Sequence, residues 1–115
     1  LMGGTAPYWT ARRFLASTTA LRRHGFIYFL ECQDFIKIGF AGVVARRIAN
    51  LQTSNPHPIK LLHSMAGTLA REQEILAAFD DIRHSGEWFK ADAALRAYID
   101  RLARRGDRIG ERIRP

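Results

Sequence analysis

The sequence predicts an α+β fold, a small three-stranded antiparallel sheet flanked by helices, and three observations carry that prediction. Residues 25–39 read GFIYFLECQDFIKIG, two runs of β-branched, aromatic and aliphatic residues around a polar break. From Val43 the apolar residues recur at helical spacing instead. The break Asn55-Pro56-His57-Pro58 is then followed by another apolar run, and that by two further helical patterns. The order is strand, strand, helix, strand, helix, helix. At 115 residues the chain has the length of one domain and can bury an ordinary core.

The organisation expected is an N-terminal basic helical extension over 1–24, a domain over 25–104 and a basic tail over 105–115. In the extension Tyr8, Ala11, Phe14, Leu15 and Thr18 lie near one side of a helix, while Arg12, Arg13, Arg22 and Arg23 leave it at other angles. That pattern reads as a packing helix with solvated charges rather than as a helix that reads a groove.

The hairpin comes next. Phe26 to Leu30 form its first strand, Phe35, Ile36 and Ile38 its second, and Cys32-Gln33-Asp34 the turn. Two placements stand out: Tyr28 in an otherwise apolar strand, and Lys37 inside the second strand two residues before Gly39. Both are candidates to face one pocket.

After the loop Phe40-Ala41-Gly42, a helix is expected from Val43 to Gln52. At 100° per residue Val44, Ile48 and Leu51 share a face, Arg47 borders it, and Arg46 points nearly the opposite way. Arg47 is therefore placed to reach along the core boundary, and Arg46 to be solvated. The two prolines end the helix, because each lacks an amide donor and restrains the residue before it. Pro58 to Met65 reads as the third strand, broken by Gly67. Thr68 reads as the N-cap of a helix from Leu69 to Ile82.

Within that helix Leu69, Ile75, Leu76, Phe79 and Ile82 form one stripe, and Glu72 lies in its middle, whereas Glu74 falls on the opposite side. An ionised group turned inward needs a cation, a hydrogen-bond network or a metal. A structural ion pair with Lys37 or Arg47 answers that need as well as a functional site does. His84-Ser85-Gly86 reads as a turn, and Trp88 and Phe89 as aromatics packed on the sheet, with Trp88 a core residue rather than a platform for stacking bases. Leu95, Tyr98, Ile99 and Leu102 mark a last helix over Ala91 to Arg104. The tail contributes Arg104, Arg105, Arg108, Arg112 and Arg114, which suit a phosphate backbone or simply solvation.

Composition narrows the function classes. Eighteen Lys and Arg against 11 Asp and Glu give a formal charge of +7, more than solubility requires, and point to a polyanionic partner. Cys32 is the sole cysteine, which excludes an internal disulfide and a thiolate zinc finger. His24, His57, His63 and His84 lack metal-ligand spacing, so a metal would need hard oxygen ligands. No apolar run approaches the roughly 18 residues that span a bilayer, and no membrane partner is expected. The start, Leu1-Met2-Gly3-Gly4, is not a secretory signal, and the leucine before Met2 reads as an excerpt boundary. A cytoplasmic protein is expected, bacterial or phage-encoded, or associated with the nucleoid.

Taken together, Phe26-Ile27-Tyr28, Lys37-Ile38-Gly39, Arg47, Leu51-Gln52-Thr53 with Asn55-Pro56, Glu72 and Gly86-Glu87-Trp88-Phe89 stand in one order and spacing. The chain resembles the GIY-YIG nuclease superfamily, in the phage-associated branch described as a DNA-binding domain, over about Gly25 to Phe89. The resemblance implies catalytic roles for Tyr28, Lys37, Arg47 and Glu72. The tyrosine would position or deprotonate the attacking water, the arginine would stabilise the phosphate, and Glu72 would hold a divalent cation, Mg²⁺ or Mn²⁺. DNA binding is expected at Lys37, Arg46, Arg47, Asn55, Arg104 and Arg105. Additional domains or protein partners would supply specificity.

Such a site is chemically coherent. Charge growing on the phosphoryl oxygens can be met by an arginine fork and one metal ion, and Mg²⁺ accepts a single carboxylate while keeping most of its waters. A phenol has a reference pKa of about 10, so a tyrosine base at neutral pH needs cations beside it. Lys37 and Arg47 are the candidates. Lys37 replaces the tyrosine of the second signature, where a lysine can take over water activation or bind phosphate as a point charge. Two function classes follow: a metal-dependent DNA endonuclease, and a DNA-binding module with the nuclease fold and little or no cleavage. A protein-interaction domain with an ion pair between Glu72 and Arg47 is a third.

Overall fold

The computed structural model describes residues 18–105. A single turn, α1 (Thr18–Leu21), leads into β1 (His24–Cys32), β2 (Phe35–Ala41), α2 (Val44–Thr53), β3 (Lys60–Thr68) and α3 (Leu69–Ala78). A 3-10 turn (Asp80–Ile82), β4 (Arg83–Ser85), β5 (Trp88–Lys90) and α4 (Ala93–Arg105) complete the chain. The sheet is antiparallel throughout, in the order β3-β1-β2-β5-β4. Among the described residues no helix is long and apolar enough to cross a membrane. The expected helical extension falls outside the described residues apart from α1 and the residues up to β1, as does the tail beyond Arg105.

The α+β class and the three expected strands are present, and two three-residue strands extend the sheet to five. Strands that short carry too little period-2 signal to separate from a turn, which is why His84 and Ser85 read as turn residues. Gly67 does not end β3: the strand runs on to Thr68, with Gly67 opposite Gly25 of β1. A glycine weakens a strand, but here the pairing with β1 carries through it. Thr68 does cap α3, its hydroxyl accepting from the Arg71 N–H at 3.2 Å, a contact worth about 1 kcal/mol. The helix stops four residues early. Phe79 is fully buried, and the chain tightens into the 3-10 turn that delivers it to β4.

Alternation along β1 divides the interior in two. Ile27 and Phe29 join Ile36, Ile38 and Phe40 of β2 beneath Leu69, Ile75 and Leu76 of α3 and Leu95, Tyr98, Ile99 and Leu102 of α4. Tyr28 and Leu30 point the other way and, with Ala41, lie under Val44, Ile48 and Leu51 of α2. β1 is thus covered on both faces, which accounts for its continuous apolar run. Full burial of each Ile, Leu or Phe contributes about 1.5–3 kcal/mol. No residue of α2 is fully buried. It covers its face only in part, and the uncovered part is where Lys37, the one polar residue of β2, lies.

Arg83 ties the short strands to the body. Its guanidinium donates to the Leu76 carbonyl at 3.2 Å, to the Gly86 carbonyl and to Asp80 Oδ1 at 2.8 Å, and it lies 4.7 Å from the Phe89 ring centroid. One side chain, 8% exposed, therefore joins the end of α3 to the β4–β5 turn. Replacing Arg83 with Ala strands two carbonyls and removes that packing, an expected loss of about 2–4 kcal/mol. Arg96→Ala, which breaks the solvent-exposed pair with Glu31, is expected to cost about 0.5 kcal/mol. Urea denaturation of both variants checks the contrast, and equal losses would contradict it.

Candidate functional site

β5 pairs with β2 only over Phe35 to Lys37, and one further bond runs from the Ile38 N–H to the Glu87 carbonyl at 3.0 Å. Beside the remaining half of β2 a cleft of about 620 Å³ opens. Elements from both layers reach it. Lys37 comes from β2, Arg47 from α2, Leu69 from α3, Arg23 from the segment before β1, and Glu87 and Trp88 from the β4–β5 turn and strand.

Tyr28 is fixed by its partner across the hairpin. The register sets it opposite Gly39, and the phenol lies over that residue so closely that a Cβ there would stand 2.3 Å from Cζ and 2.4 Å from Oη. Only glycine admits the ring. Arg47 reaches the same point from the exposed edge of α2, its Nη1 donating to Tyr28 Oη at 3.4 Å and to the Phe40 carbonyl at 3.4 Å. Arg46 is exposed, and among the described residues its side chain makes no hydrogen bond or ion pair. The helical wheel thus separated the two arginines as the structure does.

Lys37 is held by a residue that the sequence reading did not assign to the site. Its Nζ donates to Glu87 Oε1 at 3.1 Å, the two side chains being 13% and 6% exposed, and stands 5.7 Å from the Trp88 ring centroid. Glu87 stands in the Gly86-Glu87-Trp88-Phe89 motif, but a turn residue has no periodicity from which to read its direction. Gly86 makes that turn, at φ 57, a conformation that favours glycine. Trp88 is half-buried and walls the cleft, contrary to its reading as a core residue; Phe89 takes the core place. Three cations, Arg23, Lys37 and Arg47, face one carboxylate across the opening, so the cleft is positive.

Glu72 points inward, as its spacing implies, and is 0% exposed, with Gln73 Nε2 donating to its Oε1 at 2.9 Å. It sits one helical turn past Leu69 and is not among the residues that line the cleft. Lys37 donates to Glu87 Oε1 and Arg47 to Tyr28 Oη. Asn55 lines a separate hollow, its Oδ1 accepting from the His57 N–H at 2.9 Å and its Nδ2 donating to Cys32 Sγ at 3.5 Å. Gln52 secures that loop, donating to the Asn55 and His57 carbonyls and accepting from the Ile59 N–H. Arg104 and Arg105 are exposed at the end of α4 and do not line the cleft. Lys37 and Arg47 therefore line the cleft, and Arg47 reaches from it to the fully buried Tyr28, whereas Glu72, Arg46, Asn55, Arg104 and Arg105 do not line it.

A comparison with protein families matches residues 25–105 to the T5orf172 domain. The chain belongs to the T5orf172 domain family. No curated protein and no solved structure matches it. The matched part of this T5orf172 domain runs from the second residue of β1 to the last of α4, so it takes in the sheet, both layers and every cleft residue except Arg23.

In the T5orf172 domain described here, Gly39→Ala is expected to cost roughly 1–3 kcal/mol, because the new methyl overlaps a buried ring in a packed layer. The same substitution in a Tyr28→Ala background should cost distinctly less, the coupling being read from urea denaturation of the two single variants and the double. Equal costs in both backgrounds would show that the phenol is not what the glycine accommodates.

Proposed function

We propose that this chain is a DNA endonuclease of the GIY-YIG type, which grips a backbone phosphate in the cleft and hydrolyses the phosphodiester. The contact between Arg47 Nη1 and Tyr28 Oη, with Lys37 in the same opening, carries the reading. Membership of the T5orf172 domain family, a phage-associated type related to nuclease-type domains, supports it. So does the net charge of +7.

Arg47 has donors to spare for two phosphoryl oxygens beyond the bond that it makes to the phenol. A phosphate bound there would be held by Arg47, whose contact with the fully buried Tyr28 leaves the phenol one hydrogen bond away, to orient a water for attack on phosphorus. As the water oxygen bonds to phosphorus and the ester bond to the leaving oxygen breaks, the water gives its proton to bulk solvent and the leaving oxygen takes one from it, while charge on the phosphoryl oxygens meets Arg47 and Lys37. Glu87 keeps Lys37 turned into the cleft.

A divalent cation is the cofactor that the resemblance implies, and among the described residues no three Asp, Glu, His or Cys side chains converge to hold one. The donor chemistry of Glu72 suits it, since one hard carboxylate suffices for Mg²⁺. When bound, such an ion would neutralise charge on the phosphate and its leaving oxygen. Glu72 is fully buried and does not line the cleft, which favours a second reading, a domain that binds DNA through the same cleft with little or no cleavage.

Supercoiled plasmid incubated with the protein and Mg²⁺ or Mn²⁺ is expected to be nicked or cut, and Glu72→Gln to abolish cutting while binding persists. Arg47→Ala should lower the rate about 100-fold or more, and Arg46→Ala should change it by less than about threefold, as expected of a solvated side chain. Plasmid left intact with both cations would decide for binding alone. Affinity that does not fall with rising salt would overturn both readings.

A further inference from the structure

The hollow that contains Asn55 adjoins the cleft and has its own chemistry. It measures about 330 Å³, and Ser85 and Trp88 line both spaces. Phe35 and His84 meet within it at 4.5 Å between ring centroids, their planes 33° apart, so that with Trp88 three π-surfaces border one small space. Its polar groups include the Ser85 hydroxyl, the amides of Gln33 and Asn55 and the ring of His57; Gln33 Nε2 and His57 Nδ1 bond each other at 3.2 Å, which leaves the Gln33 carbonyl oxygen and His57 Nε2 to a ligand, and no carboxylate lines the hollow. Flat aromatic walls with amides at the rim suit a planar ligand whose edge mixes donors and acceptors. Among components of a nucleic acid, that describes a base.

The position relative to the cleft is fixed by the pleat of β2. Phe35 and Lys37 lie on the same face, two residues and roughly 7 Å apart. Trp88 is the cross-strand partner of Lys37. A strand whose phosphate is held by Lys37 and Arg47 would therefore bring its neighbouring base to Phe35, His84 and Trp88. Bases within a duplex are stacked on one another and cannot offer their faces to such a wall.

Resting on the phosphate-binding reading above, we propose that this hollow receives an unpaired base beside the bound phosphate, so that the preferred ligand is single-stranded DNA or a single-stranded segment next to a duplex. The pair Phe35–His84 and Trp88 stack the base, and Gln33, Asn55 and His57 meet its edge.

Fluorescence anisotropy of the full chain with a labelled single strand and with its duplex tests this at one salt concentration. The single strand is expected to bind about tenfold tighter or more. Combining Phe35→Leu with His84→Leu, which keeps apolar bulk but removes both rings, should erase that preference while duplex binding persists. A single strand without bases should likewise bind no better than the duplex, a readout that does not depend on any variant folding. In a Trp9→Phe background the emission of Trp88 should shift on adding the single strand and not on adding the duplex. Equal affinity for both forms, unaffected by the paired substitution, would overturn the base pocket while leaving the phosphate cleft intact, because Arg47→Ala would still weaken both. If neither form binds in a salt-dependent way, the phosphate reading itself falls, and this proposal with it.

Discussion

The site depends on a steric constraint before it depends on any charge. Tyr28 lies over Gly39 with no room for a methyl group between them, and that contact sets the height of the phenol above the sheet. Packed under Val44, Ile48 and Leu51 of α2, the ring presents its hydroxyl to Arg47 at 3.4 Å. The cross-strand register makes this possible, since a one-residue slip would turn Tyr28 into the larger core and expose Ile27 or Phe29 in its stead. The apolar residues of β1 thus hold the polar one in place: burying Ile27 and Phe29 on one face obliges Tyr28 to occupy the other.

Electrostatics then gives the cleft its character. Lys37 and Glu87 are both largely out of water, where an ion pair roughly offsets its own desolvation and adds little net stability. Its effect is orientation. Losing Glu87 would leave a shielded ammonium without its carboxylate, and losing Lys37 would leave a shielded carboxylate without its cation. With Arg23 and Arg47 at the rim, the pair leaves the opening positive while limiting how strongly any one cation is exposed.

Much of this was legible in the sequence, for identifiable reasons. The hairpin, α2, α3 and α4 rest on runs long enough to display a period. The same wheel that put Val44, Ile48 and Leu51 inward put Arg47 at the border, Arg46 in solvent and Glu72 inside. The wheel could not say how far the cleft extends toward Glu72, because that depends on where α3 sits against the sheet. The pair Lys37–Glu87 spans 50 residues and rests on a three-residue pairing of β2 with β5, which no local pattern reveals. Trp88 was misread because an aromatic beside a turn looks the same whether it plugs the core or walls a groove. Arg83 was missed altogether: its three acceptors come from a helix end, a turn and an acid that are neighbours only after folding.

The cleft wall formed by Ser85, Gly86, Glu87 and Trp88 belongs to the least anchored part of the sheet. β1 is paired along most of its length on both sides, whereas β4 and β5 are joined to each other and to β2 by a few residues and by the Arg83 latch. Regions of so few ladder bonds open at a small fraction of the global unfolding free energy. Warming therefore threatens competence before it threatens foldedness: the ribbon can detach, freeing Lys37 from its carboxylate and widening the groove, while the three long strands and their helices stay assembled.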